Sequence, residues 1–184
     1  MVGKHTGVHS FLFLYEDDDP EAVIERLKEI VDPEHGPVFF AELFRGDFRG
    51  FAHLGEDSLE KLGDLLDGDL WDRGLRSDHD TETRFYRRSD ARIMAPKRGS
   101  PRHCAICRIK TTDRPRLVMK AIAQHFDEDE PFVGASQVIG RFKLVVELGS
   151  DDAGSLEAAI EQLGGIDGVG AREIGVADLG PMAV

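Results

Sequence analysis

The sequence predicts an α+β protein built from two tandem copies of one small module. Residues 9–55 match residues 103–149 at a constant offset of 94, with apolar runs on apolar runs and turn residues on turn residues. After a three-residue insertion, the match resumes at an offset of 97. The length of 184 residues suits two domains of about 90 residues. The matched identities are His9/His103, Asp19/Asp113, Pro37/Pro131, Ala41/Ala135, Gly46/Gly140, Phe48/Phe142, Leu54-Gly55/Leu148-Gly149 and Ser58-Leu59-Glu60/Ser155-Leu156-Glu157.

The first copy has the predicted element order βαββαβ. Asp19, Pro20 and Glu21 read as the N-cap, N1 proline and acidic first turn of a helix. Asp57 or Ser58 caps the second helix. The predicted strands are 8–15, 38–44, 48–54 and 83–87. The apolar residues expected to face inward are Ala22, Val23, Leu27, Ile30 and Val31 in the first helix, and Leu59, Leu62, Leu65 and Leu66 in the second.

The second copy repeats this order, which is the pattern of a ferredoxin-like sandwich with two helices on one face of a four-stranded antiparallel sheet. In its third strand, alternation places Phe142, Leu144, Val146 and Leu148 on one face, and Lys143, Val145 and Glu147 on the other. The mixed second face suits covering by another sheet. The predicted strands are 104–110, 132–139, 142–148 and 171–177, with helices near 115–126 and 155–163.

The domain prediction follows from the repeat: module 1 spans residues 1–88, a basic linker spans 89–102, and module 2 spans 103–184. Duplicated modules that each leave one sheet face uncovered bury those faces most simply against each other, about a pseudo-twofold axis. We therefore expect the two modules to pair sheet to sheet.

Composition is that of a globular protein, with 41% hydrophobic and 32% charged residues. No apolar run approaches the ~18 residues that span a bilayer, which argues against a membrane protein. The polar start of the chain does not resemble a signal peptide, so a cytoplasmic location is expected. Two cysteines form no disulfide framework. Cys104 and Cys107 are three residues apart on a predicted strand, so they point to opposite faces and are expected to be reduced and metal-free.

Charge is distributed unevenly along the chain. Residues 84–120 hold twelve Lys or Arg against two Asp, while the net charge of the whole chain is −12. The basic stretch from Arg84 to Arg102 invites a nucleic-acid interpretation through phosphate contacts, with Phe85 and Tyr86 available for stacking. Pairing of this basic linker with the acidic modules is the more economical explanation.

The segment 138–176 resembles the effector-binding domain of the Lrp/AsnC family, through Gly140, Phe142, Ile166, Gly168 and Val169. Gly46-Asp47-Phe48 matches the same strand-turn-strand motif more faintly in the first copy. The resemblance implies a fold of the dimeric α/β barrel type and a small effector bound near these turns. The family's helix-turn-helix is missing, which argues against sequence-specific DNA binding.

The resemblance implies ligand-binding residues at the two turns and the strands that follow them. Where the family has an aspartate after the aromatic residue, this chain has Arg49 and Lys143, so an anionic effector is expected. His53 and its counterpart Glu147 are titratable and could face one cavity. The predicted ligand-binding residues are Gly46, Phe48, Arg49, His53, Gly140, Phe142, Lys143 and Glu147.

The favoured function is therefore a non-enzymatic, effector-binding or regulatory protein with no cofactor, no metal and no catalytic residue. A protein partner or a homo-oligomer is left open. The first alternative is a small enzyme or haem-binding protein of the dimeric α/β barrel type, for which His9 and His103 would be candidate ligands across the pseudo-twofold axis. The second alternative is nucleic-acid binding through the linker. Acidic clusters at 16–19, 127–130 and 151–152 lack the spacing of a calcium loop and are better explained by capping and solvation.

Overall fold

A computed structural model describes residues 8–32, 37–75, 80–85, 92–94, 101–126 and 131–179, with only the backbone of 80–85 and 92–94. The chain divides into two compact units, Met1–Ser89 and Asp90–Val184. None of the helices in the described ranges is long and apolar enough to cross a membrane.

The first unit contains a four-stranded antiparallel sheet in the order β2, β4, β1, β5. The Asp19 carboxylate accepts a hydrogen bond from the Ala22 N–H and begins α1, with Pro20 in its first turn. Ser58 caps α2 in the same way, through the Lys61 N–H. The elements are β1 (Val8–Leu14), α1 (Pro20–Glu29), β2 (Val38–Leu43), the two-residue β3 (Arg45–Gly46), β4 (Gly50–Glu56), α2 (Leu59–Asp64), a π-helical turn (Leu65–Leu70) and β5 (Asp80–Phe85).

The second unit has the same topology, with its strands in the order β10, β7, β9, β8, β6. Its α4 is capped by the Asp152 carboxylate, which accepts from the Ser155 N–H. The residues predicted to form part of a linker include the short edge strand β6, which pairs with β8. The elements are β6 (Arg92–Met94), β7 (His103–Thr111), α3 (Pro115–His125), β8 (Phe132–Gln137), β9 (Leu144–Ser150), α4 (Ala153–Gly164) and β10 (Val169–Asp178).

Each unit has its own core between the helices and one face of the sheet. In the first unit, Leu12 and Leu14 of β1 pack with Val23, Ile24 and Leu27 of α1. In the second, the helix-facing residues of β7 and β9 pack with α3 and α4. They are Ala105, Cys107, Ile109, Leu144, Val146 and Leu148. The βαββαβ order and the antiparallel ferredoxin-like sheet predicted from the sequence are therefore confirmed.

The ungapped repeat alignment is wrong in the first strand and first helix. Phe11 pairs with His53, and the equivalent pair in the second unit is Ile106 with Glu147. The matched offset is thus 95 in β1 and β7 but 94 in β4 and β9. The N1 prolines, Pro20 and Pro115, are also 95 apart.

This one-residue difference inverts the faces, because successive strand residues point to opposite sides of a sheet. His9 corresponds structurally to Cys104, and Val8 to His103. The offset of 97 is wrong as well, since the helix caps Ser58 and Asp152 are 94 apart.

Three residues differ from their predicted positions. Val31 lies beyond the end of α1 and forms an isolated parallel bridge with Val38. Leu59 is 55% exposed instead of facing inward, because it is the first residue of a short helix. Phe142 precedes β9 and does not share the face of Leu144, since strand alternation begins only at Leu144.

Candidate functional site

The candidate site is the face of the first sheet that points away from the helices, here called the aromatic face. Because β1 alternates, His9, Phe11 and Phe13 project to this side, while Leu12 and Leu14 enter the helix-facing core. β4 adds Phe51 and His53 to the aromatic face. The other aromatic members are Phe39, Phe40, Phe44 and Phe48.

A β-bulge explains why two consecutive phenylalanines reach the same face. The pairing of β2 with β4 shifts between Val38 and Phe40, so that Phe40 lies opposite His53. The ring of Phe39 stacks on His9 with centroids 5.2 Å apart and also lies 5.0 Å from the ring of His53. Phe40 contacts Phe51 on the same side. The bulge therefore places two phenylalanine rings, instead of one, on the aromatic face at this end of the sheet.

The two histidines are joined by a hydrogen bond. His9 Nδ1 lies 3.0 Å from His53 Nε2. His9 is only 4% exposed, whereas His53 is partly exposed. The ring of Phe11 lies 4.8 Å from that of His53. The arrangement is a pair of imidazoles beside the rings of Phe11 and Phe39, with one imidazole partly exposed.

Burial varies along the aromatic face. Phe13, Phe48 and Phe51 are buried, with the rings of Phe13 and Phe48 packed edge to face at 5.1 Å. At the other end, Phe39, Phe40 and His53 are each partly exposed. A ligand that contacts this face would therefore meet the latter three side chains, here called the open end.

The corresponding face of the second unit is charged. Arg108 is fully buried, and its Nη1 donates to Glu173 Oε2 at 2.9 Å. Its guanidinium carbon lies 4.2 Å from the centroid of the Phe142 ring. Glu147, on the same face, is partly buried. The predicted His53/Glu147 correspondence is correct in register, with Glu147 opposite Ile106 as His53 is opposite Phe11.

The turn predicted to bind an effector in the first unit lies beside an acidic surface. Gly46 has a φ of 128°, a conformation that favours glycine. Arg49 is exposed and lines a shallow cavity of about 360 Å³. The other residues of that cavity are Glu16, Asp18, Asp19, Pro20 and Glu21. Four carboxylates around one guanidinium favour a cation over the expected anion.

In the equivalent turn of the second unit, the lysine side chain bonds to the backbone of the turn itself. Lys143 Nζ donates to the Gly140 carbonyl oxygen at 2.7 Å, and Lys143 is exposed. Phe142 is buried beneath Arg108, as Phe48 is buried against Phe13. The structure therefore divides the predicted site residues: Phe48 and His53 belong to the aromatic face, while Arg49 and Lys143 lie on surface turns.

The remaining candidates have local explanations. His103 Nδ1 lies 2.6 Å from Asp178 Oδ1. Cys104 and Cys107 are not joined in a disulfide, and both are buried. Burial raises the pKa of Cys107 to about 12, the effect of nearby Arg172 being smaller and opposite. Within the described ranges, no group of three or more His, Cys, Asp or Glu is placed to hold a metal ion.

Sequence reasoning missed His9, Phe11 and Phe39 as members of one site with His53. The pair of N1 prolines signals the register of the repeat, but only the pairing of β1 with β4 places His9 beside His53. Pro20 and Pro115 are 95 residues apart and fix the register of the first strand and helix, whereas His9 and His103 suggested 94.

Solved structures resemble this chain in fold. Chlorite dismutase from Candidatus Nitrospira defluvii in complex with imidazole aligns with a TM-score of 0.59 and 9% identity, over 94% of this chain and 92% of that chain. An anthrone oxidase-like protein aligns with a TM-score of 0.52 and 10% identity, over 100% and 98% of the two chains. No protein-family model and no curated protein sequence matches. The likeness confirms the predicted fold class: α+β, with two tandem ferredoxin-like modules of the dimeric α/β barrel type.

Proposed function

We propose that this chain is a small enzyme that binds a planar aromatic molecule at the open end of the aromatic face and removes a proton from it with His53. The observation that carries the proposal is the position of the partly exposed His53 ring, 4.8 Å from Phe11 and 5.0 Å from Phe39. Histidine is the side chain whose ordinary pKa suits proton transfer near neutral pH.

The phenylalanine rings at the open end determine which shape of substrate fits there. Aromatic rings prefer offset-stacked or edge-to-face contacts with other rings, and each pair contributes about 1 kcal/mol beyond its buried area. Phe39 and Phe40 supply two such surfaces beside one proton acceptor. The matching substrate is flat, mostly apolar and weakly acidic, such as a phenol or an aryl ketone with an acidic C–H.

The structural neighbours support the choice of probe and no more. The name of one neighbour, an anthrone oxidase-like protein, refers to a flat tricyclic ketone with an acidic methylene group. At 10% identity the likeness concerns fold alone, so the substrate class depends on the residues of this chain. Anthrone and 1-naphthol are suitable probes because their ionised forms absorb at longer wavelengths than their neutral forms.

The test is a titration of the full chain with each probe near neutral pH, followed by absorbance and calorimetry. We expect saturable binding together with the absorbance of the ionised probe. His53→Gln should retain much of the binding but lose at least 90% of the ionised signal. The matched control is His125→Gln, because His125 is an exposed histidine of the second unit. Absence of saturable binding, or an unchanged signal in His53→Gln, would overturn the proposal.

A haem protein is the second candidate, favoured by the fold likeness to chlorite dismutase. The donor type fits, since His53 offers an imidazole, but the space does not. Phe11, Phe13 and Phe51 already fill the aromatic face, and His9 and His53 each use one ring nitrogen on the other. We therefore assign no step to haem. A Soret band in the purified protein, lost in His53→Gln, would favour this candidate.

A non-enzymatic effector-binding role uses the same open end without proton transfer. The ring contacts of Phe39 and Phe40 at the open end would hold an effector as well as a substrate. Saturable probe binding without an ionised signal or product would favour this role. The predicted anionic effector at Arg49 has its own check: if such a ligand binds there despite the surrounding carboxylates, Arg49→Glu should weaken binding of a carboxylate such as benzoate.

A further inference from the structure

The ring of Phe39 lies beside both histidines because it crosses a glycine. We propose that Phe39 determines how far a ligand can extend from His53 towards His9, and that Gly55 is the positioning residue that allows the Phe39 ring to lie there. The position of the ring is a property of the ligand-free protein. Its role in selecting the substrate rests on the proposed function.

Phe39 reaches His9 by crossing the strand between them. The sheet order places β4 between β2, which carries Phe39, and β1, which carries His9. On β4, the residue opposite His9 is Gly55. The Phe39 ring is stacked on the His9 ring with centroids 5.2 Å apart and an interplanar angle of 10°. The ring therefore extends over β4 at the position of this glycine.

The ring of Phe39 explains why position 55 is a glycine. A Cβ there would lie 2.9 Å from Phe39 Cζ and closer still to Phe39 Cε2, which leaves no room for a side chain. The backbone conformation gives no such reason, since a positive φ occurs among the described glycines at Gly46, Gly74 and Gly168 but not at Gly55. Close approach of another group is a common reason for a glycine inside a strand.

The crossing ring limits the space beside His53. Its centroid lies 5.0 Å from that of His53 and 5.2 Å from that of His9, so it occupies the surface next to both imidazoles. Phe39 is itself partly exposed. A flat ligand placed against His53 therefore meets the Phe39 ring before it can extend over His9. This boundary should act on a ligand of three fused rings more than on a ligand of two.

Thermal unfolding of the ligand-free full chain tests the positioning role through a double-mutant cycle. Gly55→Ala should lower the melting temperature by about 5 °C, because the new methyl group and the Phe39 ring compete for one space. In the Phe39→Ala background, the same substitution should cost less than half as much. The matched control is Gly50→Ala, whose Cβ would meet Leu14 and Ile24, and its effect should be equal in both backgrounds. Equal losses from Gly55→Ala in both backgrounds would overturn the positioning role.

Calorimetry with anthrone and 1-naphthol tests the selection of the ligand. Phe39→Ala should raise the affinity for anthrone relative to 1-naphthol about fivefold, because the third ring gains the space that Phe39 occupied. Phe40→Ala is the control: its ring contacts Phe51, so its removal should weaken both probes and leave their relative affinity unchanged.

The outcomes separate this inference from the proposed function. Binding of both probes with the same relative affinity in the wild type and Phe39→Ala would overturn the inference and leave proton removal by His53 standing. A changed relative affinity without the absorbance of the ionised probe would support the inference and overturn proton removal. If neither probe bound to the wild type or to Phe39→Ala, both proposals would be overturned.

Discussion

The two units share one fold but differ on the sheet face opposite the helices. Phe13 of the first unit and Arg108 of the second occupy equivalent positions at an offset of 95, and each covers a phenylalanine ring: Phe48 at 5.1 Å and Phe142 at 4.2 Å, respectively. One contact is between two rings, and the other is between a cation and a ring. The duplicated framework has thus kept the contact while changing its chemistry.

The difference shows that the same fold accepts either aromatic or charged side chains on this sheet face. The first unit places the His9–His53 pair among aromatic rings, whereas the second places an Arg108–Glu173 ion pair there. Cys104 and Glu147 stand where the first unit has the two histidines. The proposed proton transfer uses the histidine pair of the first unit, and the second unit serves as an internal comparison.

The largest expected effect is that of removing the ring from the first contact. Phe13→Ala should lower the free energy of unfolding by about 4 kcal/mol, because a fully buried phenyl ring is replaced by a cavity. Chemical denaturation measures this. Phe40→Ala is the matched control, since Phe40 is partly exposed and should cost less than half as much. Equal losses would show that Phe13 is not tightly packed.

The second contact is tested by Arg108→Ala, which should cost about 3 kcal/mol because it leaves Glu173 without its buried partner. The loss of unfolding free energy should lie below the largest values for buried ion pairs, because the Glu173 side chain is 22% exposed. Arg108→Phe recreates the ring contact of the first unit and should cost less than Arg108→Ala. Chemical denaturation that gave the two variants equal stability would break the comparison between the two contacts.

A smaller effect concerns the helix-facing core, where Cys107 corresponds to Leu12 of the first unit. Burial raises the pKa of Cys107 from 9.0 to about 12. The folded state therefore holds the thiol proton more tightly than the unfolded state. Its stabilising contribution is present below pH 9 and is lost as pH rises towards 12.

Denaturation of the wild type and Cys107→Ala from pH 8 to pH 11 checks this expectation. The stability advantage of the wild type over the variant should shrink as pH rises. Leu12→Ala, which removes no ionisable group at the corresponding position of the first unit, is the control for general alkaline effects. An advantage that stays constant across this range would contradict the raised pKa.

The smallest effect separates the two helix caps. Ser58→Ala should cost about 1 kcal/mol at any pH, since a hydroxyl cap does not ionise. The backbone N–H of Ser155, and then its hydroxyl, lower the pKa of the Asp152 carboxyl. Stability from this carboxylate is present above its unfolded pKa and is lost as pH falls through the lowered folded value.

Melting temperatures measured from pH 7 to pH 2 distinguish the caps. Asp152→Ala should lower the melting temperature at neutral pH and progressively less in acid, whereas the effect of Ser58→Ala should be constant. If the melting-temperature losses of both variants decreased together as pH fell, ionisation of the Asp152 cap would not distinguish the second unit from the first.

The fold could be predicted because its signals are local. Asp19-Pro20 marks a helix start, alternating apolar residues mark strands, and the element order selects the ferredoxin-like topology. The exact register could not be read from identities. A single residue fewer between the first helix and second strand of the second unit changes the offset from 95 to 94, and identities such as His9/His103 concealed it.

The candidate site was harder to predict because it depends on that register. His53 was identified, but its partner His9 lies 44 residues away and meets it only through the pairing of β1 with β4. Phe39 reaches the same face only because of a bulge, which alternation alone cannot reveal. Family resemblance points to Arg49 and Lys143, but their surroundings are those of surface turns.

Gly55 in β4 and Gly149 in β9 are equivalent glycines. In each unit a different ring occupies the space beside the missing side chain. In the first unit the ring of Phe39 lies where a Cβ would be, and in the second the ring of Pro101 does so, at 2.5 Å from that point. The space beside each glycine can therefore hold a different ring in each unit, while the glycines keep equivalent positions in their strands. In a duplicated protein, such a position allows one copy to place a ring beside a histidine while the other copy keeps only a packing contact.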